Sequence, residues 1–274
     1  MMAFVLIDLL RALHYGLPST LSLAELLLLP TPASSAALEI YNRVVYEHLK
    51  PPAPCEGDAA LIALVAILAD IHTLAIAFHP LGVVAAASTS SSFPKLAGKE
   101  VSLINPYIPF SPSNENRLAR RRLQRALDLW AEAFLTTSNE HVTVLYHFCN
   151  MYLNLPSMQI LPALVKYPPR SDTDGRPSQE QQDMLDAELK AQPKVQKSAW
   201  LVLEHVQHDM FVSPTWLPLA VFYAALVIWR MVHLQAEGGS HGSRKVLLLF
   251  KAELNNMCWP CCTVMAATLD SLLA

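Results

Sequence analysis

Four stretches combine residue types and spacing that could carry chemistry. Gly238-Gly239-Ser240-His241-Gly242 matches G-x-S-x-G, the pattern that sets a nucleophilic serine on a strand-to-helix elbow. That elbow needs a sheet beneath it. Here an apolar helical pattern precedes the motif, so the glycines read as a polar turn between helices. They also lack the Gly-Lys-Ser/Thr ending of a phosphate loop. Cys258-Trp259-Pro260-Cys261-Cys262 contains a C-x-x-C. Structural zinc takes four ligands, usually as two spaced pairs, and no second pair lies nearby. Buried free thiols in a helical core are the expectation. His205 and His208 stand three apart beside Glu204 and Asp209, which could begin a metal site, but no third and fourth ligands are indicated. A polar helix end fits better. Arg117, Arg120, Arg121, Arg122 and Arg125 form the densest charge run. A solvated helix face is the plain reading; a nuclear-import signal or a phosphate-facing patch is the functional one. None of the four assembles a reaction, so the expectation is a non-enzyme with no catalytic residue, cofactor site or metal site.

Composition narrows the class. Of 274 residues, 53% are hydrophobic and 16% charged, against roughly 45–50% and about 25% in an average globular chain. Such a chain buries much of its surface or meets a partner or membrane. A net charge of −3 gives no global positive field for gripping phosphates. Five cysteines, Cys55, Cys149, Cys258, Cys261 and Cys262, are few and odd in number, which fits a reducing interior better than a disulfide framework. No stretch has the charged start, short apolar run and small-residue cleavage site of a signal peptide. Ala59–Ala77 and Phe211–Trp229 are long and apolar enough to suggest membrane spans. The first contains Asp70 and His72, and the second contains Pro214 and Pro218; buried core helices are the expectation for both.

The elements that position these residues all read as helices. Met1–His14 has Phe4, Ile7, Leu10, Arg11 and His14 at three- and four-residue steps. Asp8 and Arg11 can pair on its surface. Gly16 stands at a left-handed C-cap position and Pro18 forbids continuation. Ser22 and Glu25 suggest a capping box for the next helix. A helix from Ser35 to about Lys50 is stopped by Pro51 and Pro52. Asp58 caps an apolar helix to about Phe78, which His79-Pro80 closes. Residues 79–113, rich in Ser and Pro, read as a long irregular connection. A basic amphipathic helix then runs from Ser113 or Asn114 to about Phe134, with Leu123, Leu127, Trp130 and Phe134 as its buried stripe. Ser138 caps a helix to Leu155, and Ser157–Tyr167 forms one further helix bent at Pro162. Residues 167–178 form a polar loop. A Ser178/Gln181 capping box opens a helix that breaks at Pro193 and resumes from Lys194 to His208. Ser213-Pro214 starts an apolar helix to about Leu234, and helices over Arg244–Asn255 and Pro260–Leu273 finish the chain. No period-two alternation or hairpin signal occurs. The fold class is all-α, an irregular multi-helix bundle with long proline-rich loops and no β-sheet.

Several segments, taken in order, resemble a known family. FVLIDLLRALHYGLPSTLSLAELLLLP resembles the regulatory, or middle homology, domain of fungal zinc-finger transcription factors whose fingers use two cysteines and two histidines. The carried motif is an acid, an apolar pair, a base and then G-x-P: here Asp8, Leu9, Leu10, Arg11, Gly16 and Pro18. DAALIALVAILADI resembles the following helix. NPYIPFSPSNENRLARRRLQRALDLWAEAF resembles the proline-rich lead into a basic helix. VLYHFCNMYLNLP, SAWLVLEHV and PTWLPLAVFYAALVIWRMV continue the match to about residue 235. Each pattern is diffuse; the order carries the resemblance.

The resemblance implies a nuclear regulator of transcription. In that family, fingers holding zinc read DNA, while the helical domain modulates or dimerises and meets other proteins of the transcription machinery. These 274 residues contain no such finger. The resemblance therefore implies zinc and direct DNA contact only through the family's fingers, which these residues lack. The chain is expected to be a single helical regulatory domain over residues 1–274, N-terminally incomplete relative to the family. No membrane association is expected; a helical membrane-associated protein is the alternative.

Overall fold

In the computed structural model, residues 2–15, 17–20, 27, 31–51, 57–89, 112–167, 177–206, 213–235 and 241–273 are described. Among them every regular element is helical and no strand occurs. The helices are α1 (Met2–Tyr15), α2 (Pro32–Asn42), α3 (Gly57–Thr89), α4 (Pro112–Phe134), α5 (Glu140–Asn154), α6 (Leu161–Leu164), α7 (Gln179–Ala191), α8 (Pro193–Glu204), α9 (Leu217–Gln235), α10 (His241–Asn256) and α11 (Pro260–Ser271). A π-helical turn, Arg43–Glu47, prolongs α2, and a 3₁₀ turn, Pro156–Ile160, precedes α6.

Three apolar helices organise the rest. Helix α3 packs against α2, α4 and α5; α5 against α8 and α9; α9 against α8 and α10. Residues from Leu9 to Leu269 belong to one continuous buried cluster. Trp130, Tyr152, Phe148, Phe222 and Phe250 are its largest fully buried side chains. The stretches Asp58–Ala77 and Leu217–Leu234 are long and apolar enough to cross a membrane, yet 67% and 72% of them are buried inside the fold. An apolar helix wrapped by others needs no stripe, which is why neither shows strong amphipathic patterning.

Several boundaries differ from the sequence expectations. Helix α3 does not stop at His79-Pro80 but runs on to Thr89. A proline removes one backbone bond, and the alanine-rich stretch that follows favours helix on either side of that gap. The expected irregular connection over 79–113 is therefore helical to 89, and residues 90–111 lie outside the described set. Helix α2 is capped by Thr31, whose hydroxyl accepts from the Ser34 N–H at 3.1 Å, with Pro32 in the first turn. Ser35, the expected cap, lies inside it. Asn139, not Ser138, caps α5 by accepting from the Val142 N–H at 2.9 Å. The Ser138 hydroxyl is engaged the other way, donating to the Phe134 carbonyl at 2.8 Å to finish α4. Ser213-Pro214 opens a turn rather than the helix itself: Leu217 N–H bonds Pro214 at 3.1 Å before α9 begins. Between Pro156 and Leu164 the chain forms a 3₁₀ turn and one α turn instead of a single bent helix. The Ser178/Gln181 capping box forms as expected, with both reciprocal bonds. The break at Pro193 is present, although α8 ends at Glu204. Residues 168–176, most of the expected 167–178 loop, lie outside the described set, as do Ser22 and Glu25.

Candidate functional site

The sequence-derived candidates gather on α4 and on the end of α1. Helix α4 is fixed by its apolar stripe: Leu123, Leu127, Trp130 and Phe134 are all buried, as their 3- and 4-residue spacing requires. Trp130 anchors it further, its indole N–H donating to the Ala60 carbonyl at 3.0 Å while its ring stacks on Tyr146, 5.8 Å between centroids. This docking forces the opposite face outward.

The five arginines then divide. Arg117, Arg121 and Arg125 recur every four residues and are exposed. Among the described residues, Arg117 bonds only the local Asn114 side chain, at 3.1 Å. Arg121 and Arg125 form no ion pair with any described residue. Arg120 turns inward: it donates to Asn116 at 3.0 Å and closes a shallow crevice against Ile71, Tyr152 and Pro156. Burial pulls its guanidinium below the ordinary value, and the Glu188 carboxylate acts in the opposite direction. Arg122 lies over the Tyr46 ring, 5.6 Å from its centroid, a cation–π contact. The patch is therefore smaller than the sequence run implies, because Arg120 has left it.

Tyr46 is presented by the π turn. His48 ends that turn with φ 58°, a left-handed conformation that a non-glycine residue adopts sparingly. Two N–H groups, His48 and Leu49, return to the Arg43 carbonyl. The extra residue of a π turn shifts the side-chain phase, and Tyr46 emerges 60% exposed. Beneath it, the Tyr41 hydroxyl donates to the Asp70 carboxylate. Burial pushes the Asp70 carboxyl above the usual carboxylate range, against the Tyr41 hydrogen bond and the Arg122 charge. Tyr41 itself is raised, by burial first and by Asp70 second.

At the other end, the Asp8–Arg11 pair forms at 3.1 Å. Asp8 does more than pair. It accepts from Ser19 Oγ at 2.8 Å, from the Thr20 N–H at 2.7 Å and from Thr20 Oγ1 at 2.6 Å. The carboxylate thus ties the chain after Pro18 back to α1. Leu17 N–H returns to the Ala12 carbonyl at 2.9 Å, the six-residue bond of a Schellman ending; Gly16 itself lies outside the described residues. Leu17 also accepts from His72 Nε2 at 2.7 Å. A carbonyl only accepts, so Nε2 carries the proton, and Nδ1 of the neutral ring accepts from Tyr152 Oη at 2.9 Å. Burial holds His72 below its ordinary value. These roles are structural.

The remaining motifs do not converge. Ser240 and the glycines before it lie outside the described residues, while His241 and Gly242 begin α10. His208 also lies outside; His205 stacks on His147, 5.7 Å between centroids. Burial, then His205 and Lys197, pushes His147 down to about 4. Among the described residues no three His, Cys, Asp or Glu side chains could hold one metal ion. The C-x-x-C expectation is corrected: Cys258 and Cys261 are exposed, and only Cys262 is buried. Helix α11 buries Cys262, Met265, Ala266 and Leu269, so Cys261 faces out by periodicity. A hydrogen bond from the Cys262 thiol pulls Cys261 down to about 7. Cys55 lies outside the described residues. Sequence reasoning missed Tyr46, Asp70 and Ser19/Thr20 as partners; only the Ser-Thr pair after G-x-P gave a local signal.

Compared with known protein families, curated proteins and solved structures, the chain finds no match.

Proposed function

We propose that the chain is a regulatory, protein-interacting domain of a nuclear transcription regulator of the fungal zinc-finger kind. DNA would be contacted through fingers that are not among these residues. The observation that carries this reading is the ordered run of family-like segments over roughly residues 1 to 235. The all-helical architecture is compatible with it, and the exposed side of α4 supplies a surface for partners. Homodimers and proteins of the transcription machinery are the proposed partners.

The test is to tether the chain to a heterologous DNA-binding domain and measure reporter output, with the untethered chain localised in parallel. Altered output and nuclear accumulation are expected, and accumulation should fall in Arg117→Ala/Arg121→Ala/Arg125→Ala. An inert tether together with a chain outside the nucleus overturns the reading. The length and apolarity of α3 and α9 favour a second reading, a membrane-associated helical protein. Recovery in carbonate-washed membranes would select it.

A further inference from the structure

The outward side of α4 carries more than charge. Leu118, Arg121, Arg122 and Arg125 follow one another at three- and four-residue steps and all are exposed. Leu118 is 54% exposed. Tyr46 lies against this row through Arg122. No acid interrupts residues 117–125; Glu115 and Asp128 bound the run on either side. A large apolar side chain, an aromatic ring and up to four guanidinium groups thus share one strip. From Leu118 to Arg125 the strip is about 10.5 Å long, close to two helical turns.

We propose that this strip docks an acidic, amphipathic peptide segment of a partner protein, with its carboxylates on Arg117, Arg121, Arg122 and Arg125 and its apolar side chains on Tyr46 and Leu118. The charge complementarity selects an anionic occupant. The apolar members select among anions: phosphates have no use for Leu118 or Tyr46, whereas an amphipathic helix presents acid and apolar groups at the same spacing. The chain's net charge of −3 also opposes the long positive field that nucleic acid favours. Arg122, held over Tyr46, is already oriented, which lowers the ordering cost of binding. The inference deepens the regulatory reading and rests on it only in taking the partner to be a protein.

The purified full chain is titrated into a labelled synthetic helix with glutamates on one face and leucine and phenylalanine on the other. Fluorescence anisotropy reads the affinity. The controls are the same peptide with glutamine for every glutamate, a single-stranded oligonucleotide, and vesicles containing phosphatidylserine. Binding of the acidic peptide alone is expected. Arg121→Gln/Arg125→Gln should weaken it about tenfold, from two rim charges, and should flatten its salt dependence. Leu118→Ser should weaken it at every salt concentration. These side chains are exposed, so unchanged helix content and melting temperature verify each fold. Affinity unmoved by the variants, equal binding of the glutamine peptide, no binding, or preference for the oligonucleotide or vesicles each overturns the proposal. No cell is involved, so a failed titration leaves the reporter result standing, and an inert tether leaves a positive titration standing.

Discussion

Two buried histidines give this protein a pH dependence whose sign can be stated. His72 is neutral between Leu17 and Tyr152, and His147 is pushed down to about 4. Both folded values lie below the ordinary histidine value near 6.5. Between that value and the folded one, the unfolded chain binds protons that the folded chain does not. Stability is thus fully present above about pH 6.5 and declines as pH falls, by at most about 1.4 kcal/mol per pH unit for each histidine. Asp70 acts with opposite sign: burial raises its folded value above the carboxylate range, so what it contributes is lost as pH rises. Denaturant midpoints at pH 7, 6 and 5 should fall in order, and His147→Asn should flatten part of the decline. Equal midpoints would show that both rings titrate normally. Nothing local in the sequence announces these environments. His72 meets Tyr152 across 80 positions and Tyr41 meets Asp70 across 29.

Whole elements were more legible than their contacts. The α4 stripe follows from periodicity alone, and the Ser178/Gln181 box from a spacing of three, because helix geometry makes those neighbours local. The errors sit where a side chain had two choices. Ser138 could cap the following helix or close the preceding one, and closes it. Arg120 could stay with the other arginines or turn toward Glu188, and turns. The α1 motif shows the same division: the Asp8–Arg11 spacing is visible in sequence, but the weight of Asp8 comes from Ser19 and Thr20. Removing Arg11 therefore differs from removing Asp8. Arg11→Ala deletes one half of an exposed pair, worth about 0.5 kcal/mol or less. Asp8→Ala deletes three further charge-assisted bonds and frees the segment after Pro18, at about 2 kcal/mol. Urea unfolding of the two variants should show that order. A reversal would mean the ion pair, not the latch, holds the end of α1.

At the scale of the molecule, packing is uneven. Helices α3, α5 and α9 are each clasped by several neighbours, whereas α10 and α11 pack chiefly on each other and on α9. This C-terminal hairpin also leaves Leu248, Leu249 and Val264 exposed. A polar contact ties its corner to the rest of the fold: the Trp259 indole N–H donates to the Ser213 carbonyl at 2.9 Å, just ahead of α9. Segments with fewer buried contacts open below the global unfolding free energy. Amide exchange followed by mass spectrometry should therefore show 241–271 opening more readily than 59–77 and 217–234. Trp259→Phe keeps an aromatic ring and removes only the donor, leaving the Ser213 carbonyl to water. It should lower the opening free energy of the hairpin by about 1 kcal/mol and leave exchange in 59–77 unchanged. If protection falls uniformly along the chain instead, the hairpin is part of the same cooperative unit as α3 and α5, and the single buried cluster governs its opening rather than the local pin at Trp259.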